Sequence, residues 1–392
     1  LILNESRPEK EYPIPDSVTK VVIPRTFSEG RAFALHTALV ENHVDVVVHH
    51  ASSNPKVVYD IISTKALDIP SIAMRHELAT QDIVRPTLSW TCNYFYLIFR
   101  LVDKLLVLDT MDETVFKLMG CNTKLIHNPI EFKNIESNYN MNKGYILWLG
   151  RMDIFQKNYL DPVKIMKLVV RKRPDAKMVI LGGDQRDSVD LRKFIEQEHL
   201  RDNVEWVPNT INVTEYYRGA KIHLLTSSFE SFSMVIAESK SYGIPLVTYD
   251  LPYLELLKDK KGYIAVEQDN IQAAADAIIK LFNNQTLCEV LSKEAKESIH
   301  EFSKFSLEQE WSDVFNALEH ERRRPMDSEL SEKDKEIQLF IKTMFFHYKK
   351  RCILQASEGK NKNVKQKQRK HHKKSFLRKA KRVLKFTVIG VI

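Results

Sequence analysis

The chain has 392 residues, of which 43% are hydrophobic and 28% are charged, and its net charge is +8. This composition, without an apolar run of about 18 residues, predicts a soluble globular protein of about two to three domains and excludes a disordered chain, a collagen-like fibre and a polytopic membrane protein. Thirteen of the 59 Lys and Arg residues lie between Lys360 and Lys385, so a mildly acidic body carries a basic tail. That distribution favours an anionic surface as a partner over nucleic acid.

In the first 130 residues, short β-branched runs alternate with amphipathic helical stretches. This alternation predicts α/β architecture, a doubly wound parallel sheet with helices on both faces. The predicted strands are Lys20–Pro24, Val44–His49, Ser71–Met74, Lys104–Leu108 and Lys124–His127. The predicted helices are Gly30–His43, Pro55–Leu67, Pro86–Val102 and Met111–Leu118. We assign residues 1–130 to a first Rossmann-like domain.

The alternation restarts after residues 131–144, which are polar and Asn-rich and are predicted to be a linker. The predicted strands are Tyr145–Leu149, Lys177–Leu181, Val204–Val207, Lys221–Thr226 and Pro245–Tyr249. The predicted helices are Asp161–Arg173, Ser188–His199, Val213–Arg218 and Ser233–Tyr242. We assign residues 145–302 to a second doubly wound domain, 303–324 to a terminal amphipathic helix, and 325–392 to a charged, then polybasic tail.

The four cysteines are far apart in the sequence and form no Cys-x-x-Cys pair. They are Cys92, Cys121, Cys288 and Cys352. This spacing argues against a disulfide framework or a zinc site and suits a reducing cytoplasm. Neither an Asp-x-Asp element at a strand end nor a recognisable set of ligands is present, so no metal is implied. The first residues, LILNESRPEKEYPIPDS, have no basic region followed by an apolar stretch, so no signal peptide is expected there.

Two glutamates eight residues apart follow a predicted strand end at Thr226. Glu230 lies in the loop, and Glu238 lies on the second turn of the following helix. The helix N-terminus at Ser233–Met234 offers free N–H groups and the positive end of a dipole, which suits a phosphate. Glu238 can accept hydrogen bonds from sugar hydroxyls. Ser233, like the neighbouring Ser231, has a plain helix N-cap as its alternative role.

A second loop at a strand end carries two cations. Arg151 and Lys157 follow the strand Tyr145–Leu149, and Gly150, directly after the strand, allows a close turn. Two cations beside a helix N-terminus can stabilise a diphosphate leaving group, whose negative charge grows as its bond breaks. Nucleobase contacts are expected from the backbone near Val207 and Pro208, at another strand end.

These features resemble the retaining, nucleotide-sugar-dependent glycosyltransferases of family 4, in the motifs Gly150-Arg151 with Lys157, Glu230-x7-Glu238 and Gly243-x-Pro245. The resemblance implies the GT-B fold, two Rossmann-like domains with a cleft between them, the first on the acceptor side. It also implies that Arg151 and Lys157 bind the donor diphosphate. Glu238 would bind the ribose hydroxyls, and Glu230 would lie near the transferred sugar. The terminal helix of such proteins usually crosses back onto the first domain.

The sequence departs from the family pattern in two places. Many members have Gly where this chain has Ser231 and Ser233, which narrows the space beside the donor sugar. Members also open with a strand, a Gly-rich loop and a helix. Nothing before Thr19 resembles that unit, so the first domain is expected to lack it.

Histidines follow two of the predicted strands in the first domain. His76 matches the cleft histidine of the family and is, with Glu230, a candidate catalytic residue. A structural loop histidine is its alternative role. His49 and His50 could line the cleft or bind a metal, but no further ligand stands at a suitable spacing. The turn that begins at Gly182 is predicted to be a simple strand-to-helix connection.

The sequence therefore predicts a retaining hexosyltransferase with a nucleoside-diphosphate sugar as donor substrate, no metal cofactor, and a lipid-linked or cell-surface glycan as acceptor. Between Lys360 and Ile392, apolar residues stand at helical spacing among basic ones, which favours binding to anionic lipid headgroups at the inner membrane face. A solvated, disordered tail is the alternative. A non-catalytic GT-B scaffold subunit, a nucleotide-sugar epimerase and a soluble-acceptor transferase are the other functions considered. The presence of Arg151, Lys157 and Glu238 argues against the scaffold.

Overall fold

The computed structural model of the chain describes residues 1–3, 14–24, 29–51, 56–79, 98–132, 144–184 and 188–319. Of these, the residues up to 44 and those from 62 to 68 form one compact unit. The residues from 45 to 61 and from 69 onward form the other. Most of the predicted helix Pro86–Val102, most of the predicted linker 131–144 and the tail 325–392 lie outside the described residues.

The first unit contains two short strands in parallel pairing, β1 (Ile2–Leu3) and β2 (Val21–Val22), and the helix α1 (Glu29–Glu41). The sequence predicts no element before Thr19. Strand β1 was missed because two residues are too few to show a hydrophobic pattern. Strand β2 is shorter than the predicted Lys20–Pro24. Proline has no backbone N–H to donate to a strand ladder, which makes it a poor strand residue.

The second unit contains two fully parallel sheets. The four-stranded sheet has the order β3-β4-β5-β6. Its strands are β3 (Val47–Ala51), β4 (Ser71–Arg75), β5 (Lys104–Val107) and β6 (Thr123–Leu125). Every residue of β4 is buried, as expected for a parallel strand that is covered on both faces. Helix α2 (Lys56–Ala66) has residues in both units, and helix α3 (Thr110–Leu118) belongs to the second.

The six-stranded sheet has the order β12-β11-β10-β7-β8-β9. Its strands are β7 (Tyr145–Leu149), β8 (Met178–Leu181), β9 (Val204–Val207), β10 (Ala220–Leu225), β11 (Leu246–Tyr249) and β12 (Tyr263–Val266). Its helices are α4 (Asp161–Lys172), α5 (Ser188–Gln197), α6 (Val213–Gly219), α7 (Met234–Ser241), α8 (Ile271–Asn283) and α9 (Gln285–His300). The two parallel sheets confirm the predicted α/β class.

The predicted strands Tyr145–Leu149 and Val204–Val207 agree with the structure residue for residue. The elements from β12 to α9 were not predicted. The terminal helix α10 (Leu307–Glu319) begins four residues later than the predicted start at Ser303. Residues Glu301–Lys304 instead form a 3₁₀ turn, and the Ser306 hydroxyl caps α10 by accepting a hydrogen bond from the N–H of Gln309 at 3.2 Å.

Helix α10 is joined to the residues that follow β6. A carboxylate oxygen of Glu310 accepts a hydrogen bond from the backbone N–H of His127 at 3.0 Å. The other oxygen lies 2.7 Å from Nδ1 of the same histidine. The His127 ring stacks on Phe305, with ring centroids 3.8 Å apart. Among the helices described in the structure, none is long and apolar enough to cross a membrane.

Candidate active site

The order of the six-stranded sheet reverses between β7 and β10. In open α/β sheets, ligands bind beside the carboxyl ends of the strands at such a point. A cavity of about 440 Å³ lies there, lined by residues that follow strands of both sheets. Six residues predicted from the sequence line it, namely His76, Arg151, Lys157, Glu230, Ser233 and Met234. The fold thus brings together residues that are up to 158 positions apart in the chain.

Arg151 is positioned by a tight loop after β7. The Asp153 carboxylate accepts hydrogen bonds from the N–H groups of Phe155 and Gln156, which turns the chain back. The Arg151 guanidinium donates to the side-chain oxygen of Gln156 at 2.8 Å, and the Gln156 amide donates to the carbonyl of Phe229 at 3.4 Å. Gln156 therefore joins the arginine loop to the loop after β10. It is a cavity residue that the sequence analysis missed.

Lys157 and Glu230 form a buried ion pair in the cavity wall. Lys157 Nζ lies 2.5 Å from a carboxylate oxygen of Glu230, and the two residues are 8% and 5% exposed. The hydroxyl of Thr226 donates to the carbonyl of Lys157 at 2.7 Å and fixes its backbone. The hydroxyl of Tyr253 accepts the N–H of Glu230 at 3.0 Å. The backbones of both residues are thus held by contacts outside the pair.

The N-terminus of α7 faces the same cavity through Ser233 and Met234. Ser233 has a φ of 68°, in the left-handed region that favours glycine, so its backbone is strained. Its hydroxyl makes no capping hydrogen bond and is buried without a partner among the described residues. The Ser233 side chain therefore does not act as the N-cap of the helix. Ser231 is no cap either, because its hydroxyl donates to the carbonyl of His76 at 2.8 Å.

The loop that carries His76 is anchored on both sides. Before it, the Arg75 guanidinium lies over the rings of Phe99 and Phe116, 5.4 and 5.6 Å from their centroids. After it, the Asp112 carboxylate accepts the N–H of Ala79 with both oxygens, at 2.9 and 3.1 Å. His76 therefore stands at a rigidly supported end of β4.

The ring of His76 contacts a second histidine. Its Nε2 lies 2.9 Å from Nδ1 of His50, and the two rings are stacked with centroids 5.2 Å apart. The pKa of His76 is lowered, first by burial and then by the neighbouring His50, while Glu77 opposes the shift. His49 does not share this site. One of its ring nitrogens is buried without a partner among the described residues, and burial lowers its pKa to about 4.

Glu238 lies outside the residues that line the cavity. The hydroxyl of Tyr217 donates to one of its carboxylate oxygens at 2.7 Å. Tyr217 is buried, with its ring stacked on that of Tyr242. Burial, followed by the charge of Glu238, raises the pKa of Tyr217 well above its usual value, so the phenol keeps its proton and remains a donor. The sequence analysis missed this role of Tyr217.

The predicted nucleobase contacts, Val207 and Pro208, also lie outside the cavity lining, which is formed instead by the next residues, Asn209 and Thr210. Gly182 lines the cavity at the end of β8. Its φ is 139°, and a Cβ there would lie 1.9 Å from the carbonyl oxygen of Gly150, so only glycine fits this close approach. Among the described residues, no group of three His, Cys, Asp or Glu side chains could bind a metal ion.

Comparison with known proteins identifies the part of the chain that builds most of this cavity. Residues 130–298 match the model of the family described as glycosyl transferases group 1. Poly(glycerol-phosphate) alpha-glucosyltransferase of Bacillus subtilis (strain 168) is 30% identical over 185 residues, which are 46% of this chain and 27% of that protein. GDP-mannose:cellobiosyl-diphosphopolyprenol alpha-mannosyltransferase of Xanthomonas campestris is 26% identical over 137 residues, 34% of this chain and 36% of that protein.

The fold is also that of solved glycosyltransferase structures. The crystal structure of S. aureus TarM with fondaparinux, alpha-GlcNAc-glycerol and UDP has a TM-score of 0.62 and 20% identity, and the match covers 74% of this chain and 59% of that one. This likeness confirms the predicted GT-B fold. The chain spans well under two thirds of the length of both relatives named above. Residues 130–298 therefore resemble the glycosyl transferases group 1 family, within a chain of GT-B fold.

Proposed function

We propose that the protein is a retaining hexosyltransferase of family 4, which transfers a sugar from a nucleoside-diphosphate donor to a lipid-linked or cell-surface glycan. The observation that carries this proposal is the grouping of Arg151, the Lys157–Glu230 ion pair and the N-terminus of α7 in one cavity. Two cations and free backbone N–H groups suit a diphosphate. A carboxylate beside them suits the sugar that the diphosphate carries.

The proposed donor site uses groups that are poised for an anion. Arg151 and Lys157 supply positive charge, and the first N–H groups of α7 point toward the same space. The buried hydroxyl of Ser233 has no partner among the described residues, and a phosphate oxygen would satisfy it. In the donor complex Lys157 would share its charge between Glu230 and the diphosphate. Glu238, oriented by Tyr217, would accept the ribose hydroxyls.

In the proposed reaction, the bond between the anomeric carbon and the diphosphate oxygen breaks while the acceptor oxygen bonds to the same face of the sugar. The departing diphosphate oxygen takes the proton of the acceptor hydroxyl. Arg151, Lys157 and the α7 N–H groups stabilise the charge that grows on the diphosphate. Glu230 and His76 position the sugar. These cationic groups do the work that a divalent metal does in other transferases, so activity is expected to survive EDTA.

The acceptor and the location are inferred from the names of the relatives and from the basic tail. The names of the two relatives above state transfer to a poly(glycerol-phosphate) and to a cellobiosyl-diphosphopolyprenol, both of which contain phosphate and are anionic. We propose an acceptor of that class, in polysaccharide biosynthesis at the inner membrane face. The basic tail from Lys360 to Ile392 lies outside the described residues, and it would bind anionic lipid with about 1 kcal/mol per basic residue.

A thermal-shift titration of the full chain with UDP, GDP and CMP tests the donor site, because a ligand that binds the native state raises its stability. We expect one nucleoside diphosphate to raise the melting temperature of the wild type. Glu238→Ala should lose that shift. Glu297→Ala, an exposed glutamate on α9, is the matched control and should keep it. If no nucleotide stabilises the wild type, the donor site is refuted and a non-catalytic scaffold becomes the better explanation.

Turnover is then measured with the sugars of the nucleotide that binds. Release of the nucleoside diphosphate should depend on an added acceptor, and NMR of the product should show the same anomeric configuration as the donor sugar. A product with inverted anomeric configuration would refute retention but would not contradict transferase activity. Flotation of the full chain with anionic and with neutral vesicles tests the tail separately, and equal binding to both would refute an electrostatic attachment.

A further inference from the structure

His50 stands in direct contact with a residue of the proposed active site but has no role in the function proposed so far. It lies near the carboxyl end of β3, opposite Met74 of the neighbouring strand β4. From there its ring reaches His76, two residues further on. The rings are stacked with an interplanar angle of 13°, and a single N···N hydrogen bond of 2.9 Å joins them.

The backbone of His76 is fixed without any help from His50. Its carbonyl accepts the Ser231 hydroxyl at 2.8 Å, and Asp112 fixes the chain three residues later, at Ala79. What these contacts leave undetermined is the rotation and the protonation of the His76 ring. Within the part of the chain that the structure describes, the ring is hydrogen-bonded to His50, so His50 is the residue placed to determine both.

We propose that His50 is a positioning residue for His76, which orients the ring toward the cavity and keeps it in one neutral tautomer. An N···N hydrogen bond needs one protonated and one unprotonated nitrogen, so it cannot persist when both rings are fully protonated. Because Nε2 of His76 is occupied by His50, Nδ1 is the ring nitrogen left for a hydroxyl of the bound sugar. This inference rests on the proposed transferase function.

Two substitutions at position 50 separate hydrogen bonding from ring packing. His50→Phe keeps a flat ring that can stack on His76 but removes the hydrogen bond. His50→Asn removes the ring but keeps an amide near the place of Nδ1. With the donor that binds, we expect His50→Phe to lower kcat about tenfold, as for loss of one oriented catalytic contact, with little change in KM for the donor. His50→Asn should stay within about threefold of the wild type.

A double variant shows whether His50 acts through His76. His76→Ala alone should lower kcat, and adding His50→Phe to it should change kcat by less than about twofold, because the residue that His50 orients is gone. A merely structural role for His50 predicts the opposite, a similar loss in both backgrounds. Circular dichroism and melting temperature of each variant establish that the fold is retained.

A second measurement does not depend on turnover. In the full chain with ¹⁵N-labelled histidine, the ring nitrogens of His76 are identified by their loss in His76→Ala. We expect one tautomer of His76 in the wild type and in His50→Asn, and a mixture of the two in His50→Phe. An unchanged tautomer in His50→Phe overturns the positioning role. Failure of the transferase function would leave this NMR result intact, so the two failures are distinguishable.

Discussion

Lys157 and Glu230 are 73 residues apart in the chain, yet they share a hydrogen bond of 2.5 Å in the wall of the cavity. Because both side chains are buried, removing one of them leaves the other as a charge with neither water nor a counter-ion, which is unfavourable. Lys157→Met should therefore destabilise the protein by about 3 kcal/mol. The measurement is urea unfolding followed by circular dichroism.

The double variant Lys157→Met with Glu230→Gln is the control for this prediction, since it removes both charges at once. It should recover most of the stability that the single variant loses. Equal destabilisation of the single and the double variant would mean that lost packing, and not an uncompensated carboxylate, explains the effect.

Tyr217→Phe removes the hydrogen bond to Glu238 and keeps the buried ring in its stack with Tyr242. Without that donor the carboxylate loses a hydrogen bond that orients it, and affinity for the nucleoside diphosphate should fall about tenfold, the equivalent of one hydrogen bond to a charged group. Isothermal titration calorimetry measures the affinity. Binding of inorganic diphosphate, which has no ribose, should be unchanged, and an equal loss for both ligands would contradict this role.

Ser233→Gly should stabilise the protein by about 1 kcal/mol, because glycine accepts the φ of 68° without strain and removes a buried hydroxyl that lacks a partner. Ser233→Ala removes the same hydroxyl but keeps the Cβ, so it separates the two contributions. Chemical unfolding of both variants gives the comparison. Both should bind the nucleotide more weakly if the hydroxyl contacts a phosphate, and undiminished affinity in both would rule that contact out.

The buried carboxyl of Asp109 should make the stability of the protein depend on pH. It is fully buried and caps α3 by accepting the N–H of Asp112 at 2.8 Å. Burial, the largest cause, raises its pKa to about 6, although the Asp112 and Met111 N–H groups oppose the shift. Because this pKa is above the value of an unfolded aspartate, the folded state binds more protons between about pH 4 and pH 6. The stability that Asp109 contributes is therefore present in acid and is lost as the pH rises through 6.

Asp109→Asn tests this sign, since asparagine also caps helices but does not ionise. The wild type should lose about 3 kcal/mol relative to the variant between pH 4 and pH 6, and the difference should be constant above that range. Urea unfolding at each pH gives the difference. A wild type that gains stability relative to the variant over this range would contradict the prediction.

Two of the strands were predictable because the signals that mark them are local in the sequence. Tyr145–Leu149 and Val204–Val207 are short β-branched and aromatic runs bounded by polar or Gly and Pro residues. Strand β12, at the opposite edge of the sheet from β9, was missed because a run of only four apolar residues, Tyr263–Val266, cannot be told from a helical segment by its periodicity.

The candidate site was predictable as a set of residues but not as a set of contacts. The spacing of Glu230 and Glu238 gives their placement in a loop and on a helix. That spacing does not predict the hydrogen bond from Tyr217, which reaches Glu238 only when α6 and α7 pack together. The left-handed backbone conformation of Ser233 could not be predicted either, because a serine before a helix predicts a capping hydroxyl. Tertiary packing overrides that local preference here.

The hydrogen bond from Ser231 to the carbonyl of His76 has a consequence for engineering. It joins residues 155 positions apart, one after a strand of each parallel sheet. A chimera that exchanged only one sheet with that of another protein of GT-B fold would carry over one partner of this bond without the other. Exchanging either segment of this chain therefore requires exchanging the segment around residue 76 together with the loop around residue 231.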